Sequence, residues 1–168
     1  MRVLWIDRVL VLVRARRIHA RLELAPDEPI FSGHFPLRPT LPASVLLESF
    51  AQAGTFLLEP SFGFTRKALP GFYTNAKFHR AVEPGAAVEI EFVADHWGPD
   101  GALLRGRAEQ RGARCATCVL GMFTAPLSDF FGPEHMRSYR DMYEQLLAGA
   151  EFEGFDRHPL QSLAHVLA

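Results

Sequence analysis

Two cysteines in 168 residues are too few for a disulfide framework. Cys115 and Cys118 carry the spacing of a redox or zinc motif, but two thiolates fall short of the full tetrahedral set of a structural zinc site. They belong to a strand-like run ending at Phe123, where residues three apart face opposite sides, so a bond between them is geometrically poor. Both read as ordinary strand residues. An excess of charge of one sign is also missing. Lys and Arg number 18 against 19 Asp and Glu, so no global field draws nucleic acid or an anionic membrane. The basic clusters Arg14, Arg16, Arg17 and Arg105, Arg107, Arg111, Arg114 read as solvated strand ends and turns. Nor is there a long uninterrupted apolar run. Residues 1–13 are apolar, but Arg2, Asp7 and Arg8 break the core that a signal peptide or membrane span requires. The expectation is a retained strand, a cytoplasmic location and no membrane or nucleic-acid partner. Internal repeats and low-complexity segments are absent.

What is present is the composition of a globular protein, 48% hydrophobic and 22% charged, and long enough to bury a substantial core. Residues 5–13 and 18–24 read as the first two strands of an antiparallel sheet. Pro26, Pro29, Gly33, Pro36, Pro39 and Pro42 then punctuate an irregular crossing over 25–42, because each proline removes a backbone donor. A loop this long inside a compact domain is often functional.

The spacing predicts a helix over 43–58, with Pro42 suited to its first turn and Thr40 placed to help cap it. It is apolar almost all round and so should be buried. Its exceptions, Ser44, Glu48, Gln52 and Thr55, form one narrow polar stripe. A loop over 60–70 leads to strand candidates at 71–78, 87–96, 103–110 and 115–125, with turns at Pro84-Gly85 and Gly98-Pro99-Asp100-Gly101. The implied class is α+β, a single antiparallel sheet of about six strands wrapped around one long helix. We divide the chain into that domain, 1–127, and a C-terminal helical extension, 128–168. The extension holds an amphipathic helix over 133–147, ended by Gly149, and a less patterned tail over 151–168.

The residues able to do chemistry lie at the junction of loop and helix. Phe31-Ser32-Gly33-His34-Phe35-Pro36 sets an imidazole in a Pro-flanked loop, and Glu48 follows fourteen residues later on the helix which that loop feeds. Such a pair can take a proton from carbon and deliver one to a leaving oxygen, the chemistry of a dehydratase. Gly33 permits backbone geometry that other residues resist, and Pro36 stiffens the connection. A carboxyl in an apolar helix should have its pKa raised by desolvation, as suits a proton donor. Free N–H groups at the helix start, from Ala43 onward, can stabilise enolate-like charge on a thioester carbonyl. Gln52 can orient the Glu48 carboxylate or merely continue the polar stripe. His79, near Lys77 and Arg80, can meet an acidic partner or be an ordinary exposed strand histidine, and Phe72 or Tyr73 can be gate or core.

The run from Phe31 to Gln52, with Pro39-Thr40-Leu41-Pro42-Ala43 and Glu48 at its heart, resembles the signature of the hot-dog-fold (3R)-3-hydroxyacyl-acyl-carrier-protein dehydratases of type II fatty acid synthesis. The resemblance continues at Trp5-Ile6-Asp7-Arg8-Val9-Leu10, at Asp27-Glu28-Pro29-Ile30 and at Ala76-Lys77-Phe78-His79-Arg80-Ala81-Val82-Glu83-Pro84-Gly85, covering roughly residues 3–125. It implies a hot-dog fold and reversible dehydration of a 3-hydroxyacyl thioester to the trans-2-enoyl thioester. His34 would remove the C2 proton, Glu48 would assist departure of the 3-hydroxyl, and the Ala43 N–H would bind the thioester carbonyl.

The resemblance further implies a homodimer in which the two catalytic side chains come from opposite protomers, with assembly into trimers of dimers in many members. The acyl group would arrive on the phosphopantetheine arm of an acyl carrier protein, with no metal or redox cofactor. The chain departs from the family at Leu37 and Ala43, where glycine is usual, and in its long C-terminal extension. Those departures point to a specialised relative serving a polyketide or polyene pathway. Two other readings stand beside the dehydratase: a hot-dog acyl thioesterase, and a non-catalytic acyl-binding or partner subunit. Chain length, carrier and assembly state are not legible in the sequence.

Overall fold

A computed structural model describes residues 2–166. Its organising element is helix α1, Ala43–Ser61, around which one seven-stranded sheet is wrapped. Strands β1 (Arg8–Val13), β2 (Arg17–Leu22), β3 (Arg66–Phe78), β4 (Val88–Gly98), β5 (Gly101–Gln110), β6 (Ala113–Pro126) and β7 (Glu151–Glu153) lie in the order β3-β6-β5-β4-β2-β1-β7. All neighbouring pairs are antiparallel except β1 with β7. Alternation does the sorting. Ile18, Ala20 and Leu22 on β2 and Val88, Ile90 and Phe92 on β4 are buried against α1, while the residues between them face outward. This is the hot-dog arrangement.

The helix meets the sheet most closely at Gly54. A Cβ built there would lie 3.1 Å from Leu104, 3.2 Å from Met122 and 3.3 Å from Leu120, all three fully or almost fully buried. Glycine is therefore required by proximity, not by backbone angle.

Element boundaries differ from expectation where prolines sit. Residues 60–70 form no long loop: α1 runs through Pro60 to Ser61, and β3 starts at Arg66 and contains Pro70. Pro70 is tolerated because β3 is an edge strand with one free side. Thr40 does not cap α1. The N-cap is Pro42, without a side-chain hydrogen bond.

The extension is the larger surprise. Helix α2 (Pro133–Leu146) buries Tyr139, Tyr143 and Leu146, and helix α3 (Pro159–Val166) buries Leu163, all in the same core as α1. Residues 151–168, expected as a loosely attached tail, contribute β7, which pairs Val11 with Glu151, Leu12 with Phe152 and Val13 with Glu153. A three-residue strand is too short to show a period, which is why the pattern gave no sign of it.

Cys115 and Cys118 are free and buried, as strand residues. Burial pushes the Cys118 thiol up to about 12 and raises Cys115 as well. Desolvation likewise raises the Tyr139 and Tyr143 hydroxyls, helped by the adjacent Glu59 carboxylate.

Two outcomes are expected. Gly54→Val forces the helix off the sheet and costs about 1–3 kcal/mol, read from the urea midpoint. Alkali destabilises the fold, because the unfolded chain releases thiol and phenol protons that the native state retains. Stability is thus held below about pH 8.5 and falls as pH rises through the range where free cysteine and tyrosine titrate. A urea midpoint that stays constant as pH rises through that range would contradict these burials.

Candidate active site

The long crossing between β2 and α1 opens with a 3-10 turn, Pro29–Phe31, and then doubles back on itself. The Thr40 N–H donates to the His34 carbonyl at 2.8 Å, and the His34 Nδ1–H donates to the Thr40 carbonyl at 2.9 Å. Between them Phe35 and Arg38 exchange backbone bonds at 3.4 and 3.0 Å, closing a tight turn over Pro36 and Leu37. Leu41 N–H anchors the loop to the Val82 carbonyl at 2.8 Å. Because a carbonyl can only accept, Nδ1 must carry the proton. The neutral ring then presents Nε2 as a free base.

His34 is half-buried and lines a cavity of about 350 Å³ together with Ala43, Leu46, Phe78, His79 and Arg80. Ala43 is the first residue of α1, so its N–H has no partner within the helix. Loop base and helix N-terminus thus meet in one cavity, as the sequence reading expects. Alanine in place of glycine at position 43 is no strain, since the residue is helical.

Gly33 is different from expectation. It does not adopt left-handed backbone angles, and a Cβ there would meet nothing within 4 Å. Neither a left-handed φ nor crowding therefore requires glycine at this position in the single chain. Pro36 is exposed in the turn, and Leu37 is 100% exposed at its tip.

Glu48 lies outside the His34 cavity, exposed on the outward stripe of α1. The burial expected to act on its carboxyl is therefore absent in the single chain. Gln52, on the same stripe, hydrogen-bonds to Glu48. Its Nε2 donates to Glu48 Oε1 at 3.0 Å and to the Val3 carbonyl at 2.8 Å, while its Oε1 accepts from the Trp5 and Ile6 N–H groups at 2.7 and 3.3 Å. One side chain therefore fixes the carboxylate and fastens the N-terminal segment to the helix. Tyr73, half-buried, donates its hydroxyl to the Leu47 carbonyl at 2.6 Å and is held well above the usual phenol range by burial.

Thr40 was not legible as the partner of His34, because a backbone carbonyl leaves no trace in residue type. His79, read as meeting an acidic partner or as an ordinary exposed strand histidine, follows the end of β3 and lines the His34 cavity. Among the described residues no group of His, Cys, Asp and Glu is arranged to hold a metal ion, and no helix is long and apolar enough to cross a membrane.

A long helix in a wrapped sheet, with a loop imidazole at the helix N-terminus, defines a hot-dog protein with a candidate site at that junction. Solved structures share that fold. The dehydratase heterocomplex ApeI:P from Xenorhabdus doucetiae is similar over 65% of this chain and 88% of the matched one, with TM-score 0.53 and 20% identity. The acetyl-CoA-bound smu.793 from Streptococcus mutans is similar over 75% and 94%, with TM-score 0.59 and 12% identity.

The FabA-like domain matches residues 1–103, and the chain belongs to that family. Among curated relatives, the 3-hydroxyacyl-[acyl-carrier-protein] dehydratase FabZ of Rickettsia rickettsii is 37% identical over 94 residues, 55% of this chain and 65% of that enzyme. The match thus spans just under two thirds of that relative's length. The FabZ of Variovorax paradoxus is 34% identical over 109 residues, 62% of this chain and 73% of the other.

Replacing Gln52 by Ala is expected to destabilise the chain by about 1–3 kcal/mol, because buried N–H groups lose their acceptor. Faster amide exchange at Trp5 and Ile6 is the check; unchanged protection there would remove the clamp.

Proposed function

We propose that this protein dehydrates a (3R)-3-hydroxyacyl thioester carried by an acyl carrier protein to the trans-2-enoyl thioester. The observation that carries the reading is His34, oriented by the Thr40 carbonyl in a cavity that Ala43, the first residue of α1, also lines. His34 Nε2 takes the C2 proton, and the electron pair moves onto the thioester carbonyl held by the Ala43 N–H. The enolate then expels the 3-hydroxyl, which Glu48 protonates so that it leaves as water.

That last step requires a second chain, since Glu48 faces away from the cavity of its own protomer. In this reading two copies associate so that Glu48 of one, braced by Gln52, completes the His34 cavity of the other. Phe35, Phe72 and Phe78 are each about half exposed (58%, 49% and 48%) and supply apolar surface for such a union. Gly33, with open space at its Cα, leaves room beside His34 for substrate. The side chains and the backbone donor account for every proton, so the reading invokes no metal or redox cofactor. It places the enzyme in the cytoplasm, in fatty acid, polyketide or polyene assembly. Support comes from the FabZ relatives and from the retention of both His34 and Glu48.

The test is intact-protein mass spectrometry of a 3-hydroxyacyl carrier protein, with His34→Ala and Glu48→Gln variants in parallel. Loss of about 18 Da (one water) with the parent chain is expected, slowed about 10²–10⁴-fold in each variant. Mixing the two variants should restore a fraction of the activity, because mixed dimers regain one intact pair. Release of free acid and thiol would instead make it a thioesterase. No mass change would leave a non-catalytic partner subunit.

A further inference from the structure

Glu59 is the most deeply buried charge of the molecule, with 0% exposure, and the proposed chemistry does not use it. It continues the polar stripe of α1 four residues beyond Thr55. Its Oε1 accepts from Lys67 Nζ at 2.7 Å and from the Ala68 N–H at 3.1 Å. Its Oε2 accepts from the hydroxyls of Tyr139 and Tyr143 on α2. The Lys67 ammonium also lies 5.8 Å from the Phe131 ring and 5.9 Å from that of Tyr139. Helix, edge strand and extension are thus joined at one carboxylate whose two oxygens each take two donors.

The same extension fastens at the opposite edge of the sheet. β3 and β1 stand at the two ends of the original sheet, and β7 pairs with β1, where the Arg14 N–H also donates to the Glu153 carbonyl at 2.9 Å. The link between the fastenings has no slack. Leu147 N–H bonds the Tyr143 carbonyl at 3.0 Å, Ala150 N–H bonds the Leu147 carbonyl at 3.1 Å, and β7 begins at the next residue. Gly149, at φ +76°, makes the reversal between them. At its other end the extension is pinned where the Leu127 N–H meets the Thr65 carbonyl, just before β3.

We propose that residues 127–153 form a strap that runs from the β3 edge to the β1 edge across the C-terminal end of α1, and that its two fastenings open and close as one unit. The wrapped sheet leaves a gap between its edges through which α1 would otherwise loosen. The strap bridges that gap and fixes how far the edges stand apart. This role is independent of the dehydratase reading.

Two amides report on the two fastenings: Ala68 N–H on the Glu59 latch and Arg14 N–H on the β7 edge. Hydrogen exchange of both is measured relative to amides of central β5, in the full chain and in two variants. Glu153→Pro removes the β7 N–H that faces β1, at an exposed position far from the latch. Tyr139→Phe/Tyr143→Phe removes the latch hydroxyls and leaves β7 untouched. Each variant is expected to speed the reporter at the far fastening about fivefold or more relative to β5. A far reporter that keeps pace with β5 in the Glu153→Pro chain overturns the strap, whether the near end loosens alone or the whole fold does. That variant decides the matter even if the tyrosine pair proves necessary for folding.

Discussion

Burial of α1 is the constraint from which the rest of the structure follows. Phe50, Ala53, Leu57 and Leu58 all sit at the centre of the core, and a helix with so little polar surface can be stable only if covered on several sides. A flat sheet would cover one side. Twist and curl let the strands come round the helix, and Gly54 lets the two approach until Leu104, Leu120 and Met122 touch the helix backbone. Part of the narrow polar stripe stays exposed. Ser44 and Glu48 look out through the gap, and Glu59 at its far end is closed over by α2.

That stripe explains why the candidate site is split. The helix N-terminus and the loop that feeds it are built locally, so His34 and Ala43 line one cavity within a single chain. Glu48 lies further along the same helix, on the face that points away. No local rearrangement of an intact helix brings it round to His34. In the dimer proposed above, a second copy would do so without disturbing either element, and the half-exposed aromatic side chains around β3 and the His34 loop would be covered.

The extension adds cohesion of another kind. Most of the core is held by apolar contact, which is strong but carries little information about register. The Glu59 cluster is directional: four donors converge on two oxygens, and none of these groups can be buried elsewhere without losing a partner. Lys67, partly exposed, brings the compensating charge. A segment that adds only a short strand and two helices is thereby fixed at a defined place on the molecule.

Much of this was legible in the residues. Alternation in β2 and β4, the apolar run of α1 and the prolines of the crossing loop determine local structure through short-range sterics and burial, so the hot-dog architecture and the loop–helix site could be read directly. The family likeness at His34 and Glu48 rests on the same stretch. Tertiary structure decided the remainder, because the deciding contacts join positions far apart in the chain. Thr40 grips His34 through a carbonyl that any residue would offer, and Gly33 answers to neither a left-handed backbone angle nor crowding. Pro70 fits a strand only because that strand is an edge. Glu59 looked like the polar end of a helix until two tyrosines from the extension covered it, and β7, three residues long, has no identity apart from the strand it pairs with.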